Sequence, residues 1–154
     1  MPRIECLPLT NSPLPDRKDQ LALHGPLIPI DIGLDQNYDQ TTPEIVPDLQ
    51  RKGLPALIDT GALSNYIDNA LANQLNLPPI DKQTVLPAHG GAKLITSYLA
   101  QIHIPKLAHT IVGSFGGLDL IATGHGCYAI LGREFLADFE MSYDGRSGRV
   151  FLTW

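Results

Sequence analysis

The sequence contains little charge: only 18% of its 154 residues are Asp, Glu, Lys or Arg. Acidic residues outnumber basic ones by 16 to 11, and the net charge of −5 argues against a nucleic-acid partner. No apolar run approaches the roughly 20 residues that span a bilayer, so no membrane partner is expected. Residues 1–19 also lack the apolar core of a signal peptide, so we expect a cytoplasmic location.

Cysteine is scarce as well, with only Cys6 and Cys127 in the chain. The two could form a disulfide, but two free thiols in a reducing compartment are the favoured alternative. The histidines, including His125 near Cys127, do not have the spacing of a recognised zinc site. The glycines of residues 113–117 do not form a dinucleotide fingerprint. We therefore expect no metal and no cofactor.

What the sequence does contain is enough apolar material for one domain with a real core, at 44% hydrophobic residues. Its 14 glycines and 13 prolines favour short strands and many turns over long helices. Residues 1–20 are polar and punctuated by proline, which predicts an arm with little structure of its own that could pack on a dimer partner. Residues 21–154 would then form the domain.

Several segments have clear local patterns. Alternating isoleucines predict a strand over Leu27–Leu34, and Pro29 suggests an edge position. Asp68 can cap a helix over residues 69–77, which Pro78 and Pro79 end. The remaining predictions are a long loop over 35–53, a glycine-tipped hairpin over 85–95, strands at 99–104, 110–112 and 129–131, a short helix over 133–139, and a terminal hairpin over 141–152.

The stretch around which we interpret the chain is an apolar strand that runs into Asp59-Thr60-Gly61. The residues before it, 56–58, have the bulk of a strand that is covered on both faces. An ionised Asp at such a strand end is costly unless it is used, which makes Asp59 a candidate catalytic group. The alternative is an ordinary strand followed by a polar turn.

Two later segments favour the catalytic interpretation of Asp59 over an ordinary turn. They are the apolar strand end of residues 129–133 and the glycine-bearing segment of residues 88–92. With the Asp-Thr-Gly corner, in this order and spacing, they resemble the retropepsin-like aspartic peptidases, over roughly Leu27 to Trp154. The resemblance implies a mostly β, closed barrel-like fold with one or two short helices and one lobe per chain. Because the chain has one such corner and no internal repeat, it also implies a homodimer.

The resemblance also implies roles for individual residues. Thr60 would join the two corners across the dimer axis, and Ala62 would form the floor of the cleft. Residues 88–92 would form a flap over the substrate, although an ordinary hairpin turn is an equal alternative there. The implied catalytic residues are Asp59, Thr60 and Gly61; the substrate-binding residues are Ala62, Ala88, His89, Gly90, Gly91 and Ala92; the structural support is Ile130, Leu131, Gly132 and Arg133.

The chain departs from the retroviral pattern at one point. In retroviral members the arginine of the third motif pairs with an acidic residue just after the catalytic motif, where this chain has Leu63 and Ser64. Arg133 would therefore bind Asp68, Asp138 or a backbone carbonyl.

The function that these residues favour is an aspartic endopeptidase, which hydrolyses a peptide or protein with a water activated between the two Asp59 carboxyls of a homodimer. One alternative is a catalytically silent module of the same fold that dimerises or binds peptides. Another is an unrelated β-rich binding domain with a chance motif. The intact Asp59 argues against the first alternative, and the match at 130–133 argues against the second.

Overall fold

The structure, a computed structural model, describes residues 1–6, 12–42 and 44–154. Strands dominate these residues, which confirms the mostly β prediction. The strands are β1 (Arg3–Cys6), β2 (Leu27–Gly33), β3 (Arg51–Ile58), β4 (Tyr66–Asp68), β5 (Pro79–Val85), β6 (Lys93–Ile104), β7 (His109–Leu118), β8 (Ala129–Leu131), β9 (Glu140–Asp144) and β10 (Arg149–Thr153). The helices are α1 (Arg17–His24), α2 (Asn69–Gln74) and α3 (Arg133–Leu136), with a 3-10 turn at Pro105–Leu107.

Six strands close into a barrel. They follow the order β2-β3-β8-β4-β7-β6, and β6 pairs again with β2; β5 extends the sheet beyond β6. The predicted closed barrel is therefore confirmed. Two of its pairings, β3 with β8 and β4 with β7, are parallel, although the rest are antiparallel. The parallel pairs bring strand ends that are distant in sequence to the same rim.

The barrel interior is filled by aliphatic side chains, as the alternation in β2 predicts. Ile28, Ile30 and Ile32 are fully buried. Burial of each such side chain stabilises the fold by about 1.5–3 kcal/mol. The predicted edge position of β2 is wrong, because β2 pairs with both β3 and β6. Pro29 is tolerated because the pairing with β6 begins two residues later, at Asp31.

A separate three-stranded sheet, in the order β1-β10-β9, packs against the barrel. Residues 7–11 of the predicted N-terminal arm lie outside the described residues. In the described part of the arm, residues 3–6 do form a strand, because β1 pairs with β10 of the same chain. Helix α1 also crosses the predicted boundary at residue 20. The Asp16 side chain caps the N-terminus of this helix. Leu21 is its buried residue and packs in the main hydrophobic core.

Other boundaries shift for local reasons. Asp68 caps α2 as predicted, but the helix ends at Gln74, because Asn76 adopts a left-handed conformation ahead of the prolines. Strand β7 runs beyond the predicted residues 110–112, through three glycines, to Leu118. Gly116 and Gly117 leave no room for a Cβ against their neighbours, so they serve close packing there and not a turn.

Both cysteines are buried free thiols, in agreement with the favoured alternative. Burial raises the pKa of Cys6 to about 12 and that of Cys127 to about 11. Among the described helices, none combines the length and apolar character that a membrane span requires.

Candidate active site

The end of β3 places Asp59 beside the second motif. β3 and β8 run parallel with Ile58 opposite Leu131, and the Asp59 N–H donates to the Leu131 carbonyl at 2.9 Å. Both strands are buried at this point because their residues fill the barrel. The backbone on which Asp59 stands is therefore fixed by the core, and the two predicted motifs meet there.

The corner itself is a tight turn that orients the carboxylate. The Ala62 N–H donates to the Asp59 carbonyl at 3.2 Å, and the Gly61 N–H donates to Asp59 Oδ1 at 2.7 Å. Asp is well suited to this turn, since its side chain binds the backbone two residues later. Asp59 is half-buried, whereas Thr60 and Gly61 are exposed.

Residues 132–134 clamp the far side of the corner. The N–H groups of Arg133 and Glu134 donate to the carbonyls of Ala62 at 2.9 Å and Leu63 at 3.0 Å. The Gly132 N–H donates to Asn65 Oδ1 at 2.9 Å. A Cβ on Gly132 would lie 2.9 Å from the Ala62 carbonyl oxygen and 3.0 Å from that of Leu63, and closer still to a third carbonyl. Only glycine allows the two segments to approach so closely.

The Arg133 side chain forms hydrogen bonds with backbone carbonyls, which are one of the three kinds of partner considered from the sequence. Its guanidinium donates to the carbonyl of Thr60 at 2.9 Å and that of Gly61 at 3.2 Å. Asp68 cannot serve, because its buried carboxylate accepts the N–H groups of Leu71 and Ile121 at 3.0 Å each. Arg133 thus supports the corner directly.

A groove of about 540 Å³ borders the corner. Its lining includes Asp59 and Thr60 of the corner together with Met141 and Tyr143 of β9. Neither residue of β9 was predicted for the site. Their sequence pattern indicates only a terminal hairpin, and tertiary packing brings them to the groove that Asp59 lines.

A second groove lies by Ile130. Ile130 belongs to a small apolar cluster that Ala62, Tyr66 and Leu118 extend. The same side chain lines a groove with residues 93–96, which follow the predicted flap directly. Ala62 therefore packs against the cluster that contains Ile130, and its role in substrate binding stays a prediction.

The predicted flap, Ala88 to Ala92, lies in the exposed connection between β5 and β6. The strands on either side pair with Val85 opposite Lys93, so the segment is the tip of a hairpin. Gly90 has a φ of +95°, a conformation that glycine adopts freely. The hairpin is as predicted; its role as a cover for substrate stays a prediction.

The sequence analysis did not identify two polar residues, Asn65 and Ser64, as part of the site. Asn65 joins the two motifs, and the Ser64 hydroxyl donates to Glu134 Oε1 at 3.2 Å. The only signal for them was the polar stretch after the corner. Within the described ranges no three His, Cys, Asp or Glu side chains are grouped as a metal site would require.

No protein-family model and no curated protein matches the chain. Among solved structures, a foamy viral protease–reverse transcriptase in complex with an RNA/DNA hybrid is similar at 15% identity and a TM-score of 0.49, over 74% of this chain. The chain spans 12% of that protein's length. EIAV protease in complex with the inhibitor HBY-793 is similar at 23% identity and a TM-score of 0.45, over 73% of this chain and 86% of its own. Both TM-scores are below 0.5, so the case for a function has to come from the residues themselves.

Proposed function

We propose that this protein is an aspartic endopeptidase that hydrolyses peptides or proteins as a homodimer. The observation that carries the proposal is the setting of Asp59. Its backbone is bonded to β8, its corner is clamped by residues 132–134, and the residue lines a groove. An Asp that is held so firmly beside a groove fits a catalytic group better than a turn residue.

The chemistry requires a base for water and an acid for the scissile carbonyl. Two carboxyls about 3 Å apart supply both, because like charges so close cannot both ionise and the pair shares one proton. The ionised member takes a proton from water, and the protonated member donates a hydrogen bond to the carbonyl oxygen. Each chain provides one such carboxyl, so the second Asp59 comes from the partner across a two-fold axis.

The single chain leaves polar groups of the corner available for that partner. In the described part of the chain, neither the Thr60 hydroxyl nor the second oxygen of the Asp59 carboxylate has a hydrogen-bond partner. Thr60 is exposed, as a residue that binds across the axis would be in an isolated subunit. The hairpin tip at residues 88–92 would then close over a bound peptide and exclude water.

The test is Asp59→Asn in pure protein, with hydrolysis of a peptide library as the readout. Asn keeps the oxygen that accepts the Gly61 N–H, so the free energy of unfolding should stay within about 0.5 kcal/mol of wild type. Turnover should fall by about a thousandfold or more, because the base is gone. Asp48→Asn is the matched control, since Asp48 is an exposed loop residue in a weak ion pair.

Turnover near wild type in the Asp59→Asn protein would end the proposal. A wild-type protein that binds peptides or a pepstatin-type inhibitor and never cleaves would instead identify the silent peptide-binding module. If wild-type protein cleaves peptides and pepstatin-type compounds block that cleavage, the silent peptide-binding module is excluded.

A further inference from the structure

A third groove, of about 550 Å³, adjoins the groove beside Asp59 through a shared residue. Leu57 lines both grooves and precedes Asp59 by two residues. A strand rises about 3.3 Å per residue, so these two residues are about 7 Å apart along β3 and its end. A peptide whose scissile bond lies at Asp59 therefore has neighbouring side chains within reach of the third groove.

Two histidines line the third groove, and no carboxylate does so among the described residues. His24 is the last residue of α1, and His125 lies in the connection between β7 and β8. In contrast, the two grooves described above each contain a carboxylate, that of Asp59 in one and that of Asp119 in the other. The third groove is therefore the one of the three whose lining favours an anion. Its other lining residues are Leu23, Gly25, Leu57, Thr123 and Gly124.

The fold holds both histidines in place. The N–H of Gly25 closes the last turn of α1 directly after His24. The N–H of His125 donates to the Leu120 carbonyl at 3.0 Å, and His125 Nδ1 lies 2.9 Å from Thr123 Oγ1. Side chains that are ordered before a ligand arrives lose less entropy when they bind it.

We propose that this groove binds an acidic side chain of the substrate, with His24 and His125 as the residues that determine the specificity. The inference rests on the proposed function, because it names the class of peptide that the Asp59 site cleaves. A dyad that needs one protonated carboxyl is favoured by acidic solution, and imidazole becomes charged there as well. The two imidazolium groups donate charge-assisted hydrogen bonds to the carboxylate of an Asp or Glu near the scissile bond.

The other charged groups near this groove lie beyond its lining. Lys93 and Asp119 line the groove by Ile130, which His125 also borders. The Asp119 carboxylate accepts a hydrogen bond from the Asn69 amide at 2.8 Å, so it already has a partner. Within the described lining of the third groove, the two histidines are the only residues that titrate between pH 5 and pH 8. They therefore set how binding in this groove depends on pH.

The first experiment measures peptide binding by the Asp59→Asn protein, so that it does not depend on turnover. The probes are fluorescent decapeptides with a central apolar pair and either Glu or Gln at one of the three positions on each side. At pH 5.5 at least one Glu peptide should bind about fivefold more tightly, or better, than its Gln counterpart. At pH 8, where imidazole is neutral, the ratio of the two dissociation constants should approach one.

Variants of the two histidines test their role directly. His24→Gln and His125→Gln should each lower that ratio to about twofold, and the double variant should abolish it, because each change removes one charge. His125→Lys keeps a positive charge at pH 8 and should retain the preference there. His109→Gln is the matched control, because His109 is exposed at the start of β7 and lines none of the three grooves. Circular dichroism and urea unfolding establish that each variant folds.

The outcomes separate the two proposals. Equal binding of every Glu and Gln pair at pH 5.5, or a preference that survives in the double variant, would overturn the acidic specificity and leave the catalytic role of Asp59 standing. Weaker binding of Glu and Gln peptides alike would also overturn it, since that is the result of a merely structural role. A preference in binding, with no cleavage of any peptide by the wild-type chain, would instead support the groove and overturn the endopeptidase. With Asp59 intact, the same preference in kcat/KM supports both.

Discussion

Gly132→Ala should lower the stability of the protein, because Gly132 is part of the clamp that holds the Asp59 corner. The glycine has a φ of −89°, so alanine meets no conformational barrier there, and the effect is one of space alone. The new Cβ would meet three backbone carbonyls, those of Ala62, Leu63 and Ser64. Backbone atoms cannot rotate away as a flexible side chain can, so the two segments must separate.

The magnitude follows from what that separation disrupts. Overpacking of this kind costs about 1–3 kcal/mol. The hydrogen bonds from Arg133 and Glu134 to the corner are each worth about 1 kcal/mol and would lengthen or break. We expect a total loss of about 2–5 kcal/mol, or a drop of about 6–15 °C in Tm for a chain of this size. Peptide hydrolysis should fall further than stability does, because the displaced corner carries Asp59.

The assay is urea unfolding at a fixed protein concentration, since dimerisation would otherwise shift the midpoint. Gly113→Ala is the matched control: Gly113 lies in β7, and a Cβ there has no neighbour within 4 Å. That variant should be within about 0.5 kcal/mol of wild type or slightly more stable. A Gly132→Ala protein as stable as the control would refute the clamp.

Two further predictions concern the hairpin tip and a buried histidine. Gly90→Val should lower kcat/KM on a peptide substrate more than it lowers stability, because valine resists the φ of +95° at an exposed tip. Gly91→Val is the control and should lower kcat/KM less, because Gly91 does not have a positive φ. Equal effects of the two variants would mean that side-chain size, and not the backbone conformation, is what matters. Burial lowers the pKa of His103 below its ordinary value, so the folded state disfavours its protonation and should lose stability as pH falls through about 6.5. Urea midpoints at pH 5 and pH 8 should therefore differ less in His103→Gln than in wild type, and a larger difference in the variant would contradict this.

The parts of the fold that could be predicted from the sequence depend on local patterns. The alternating isoleucines of β2, the Asp68 cap of α2 and the apolar strand ends before Asp59 and Gly132 all carry their signal within a few residues. The resemblance then supplied the closed barrel, which local patterns alone do not specify. The meeting of the corner with residues 130–133 followed from the same source.

The missed parts depend on contacts between distant residues. Strand β1 exists because it pairs with β10 at the far end of the chain, so its own composition gives little sign of a strand. Strand β7 extends well beyond the predicted residues 110–112, and Gly117 leaves room there for Tyr98 and Asn69 to pack against the strand. Asn65, Met141 and Tyr143 reach the site only through tertiary structure.

The hydrogen bonds at the corner involve its backbone far more than its polar side-chain groups. The backbone of residues 59–63 is bonded at almost every step, to β8, to α3 and to the Arg133 guanidinium. In contrast, the described chain offers no partner to the Thr60 hydroxyl or to one oxygen of Asp59. A turn with only a structural role has no need of such rigidity around an unused carboxylate. If the proposed function holds, these two groups are the ones that a second Asp59 corner would bind.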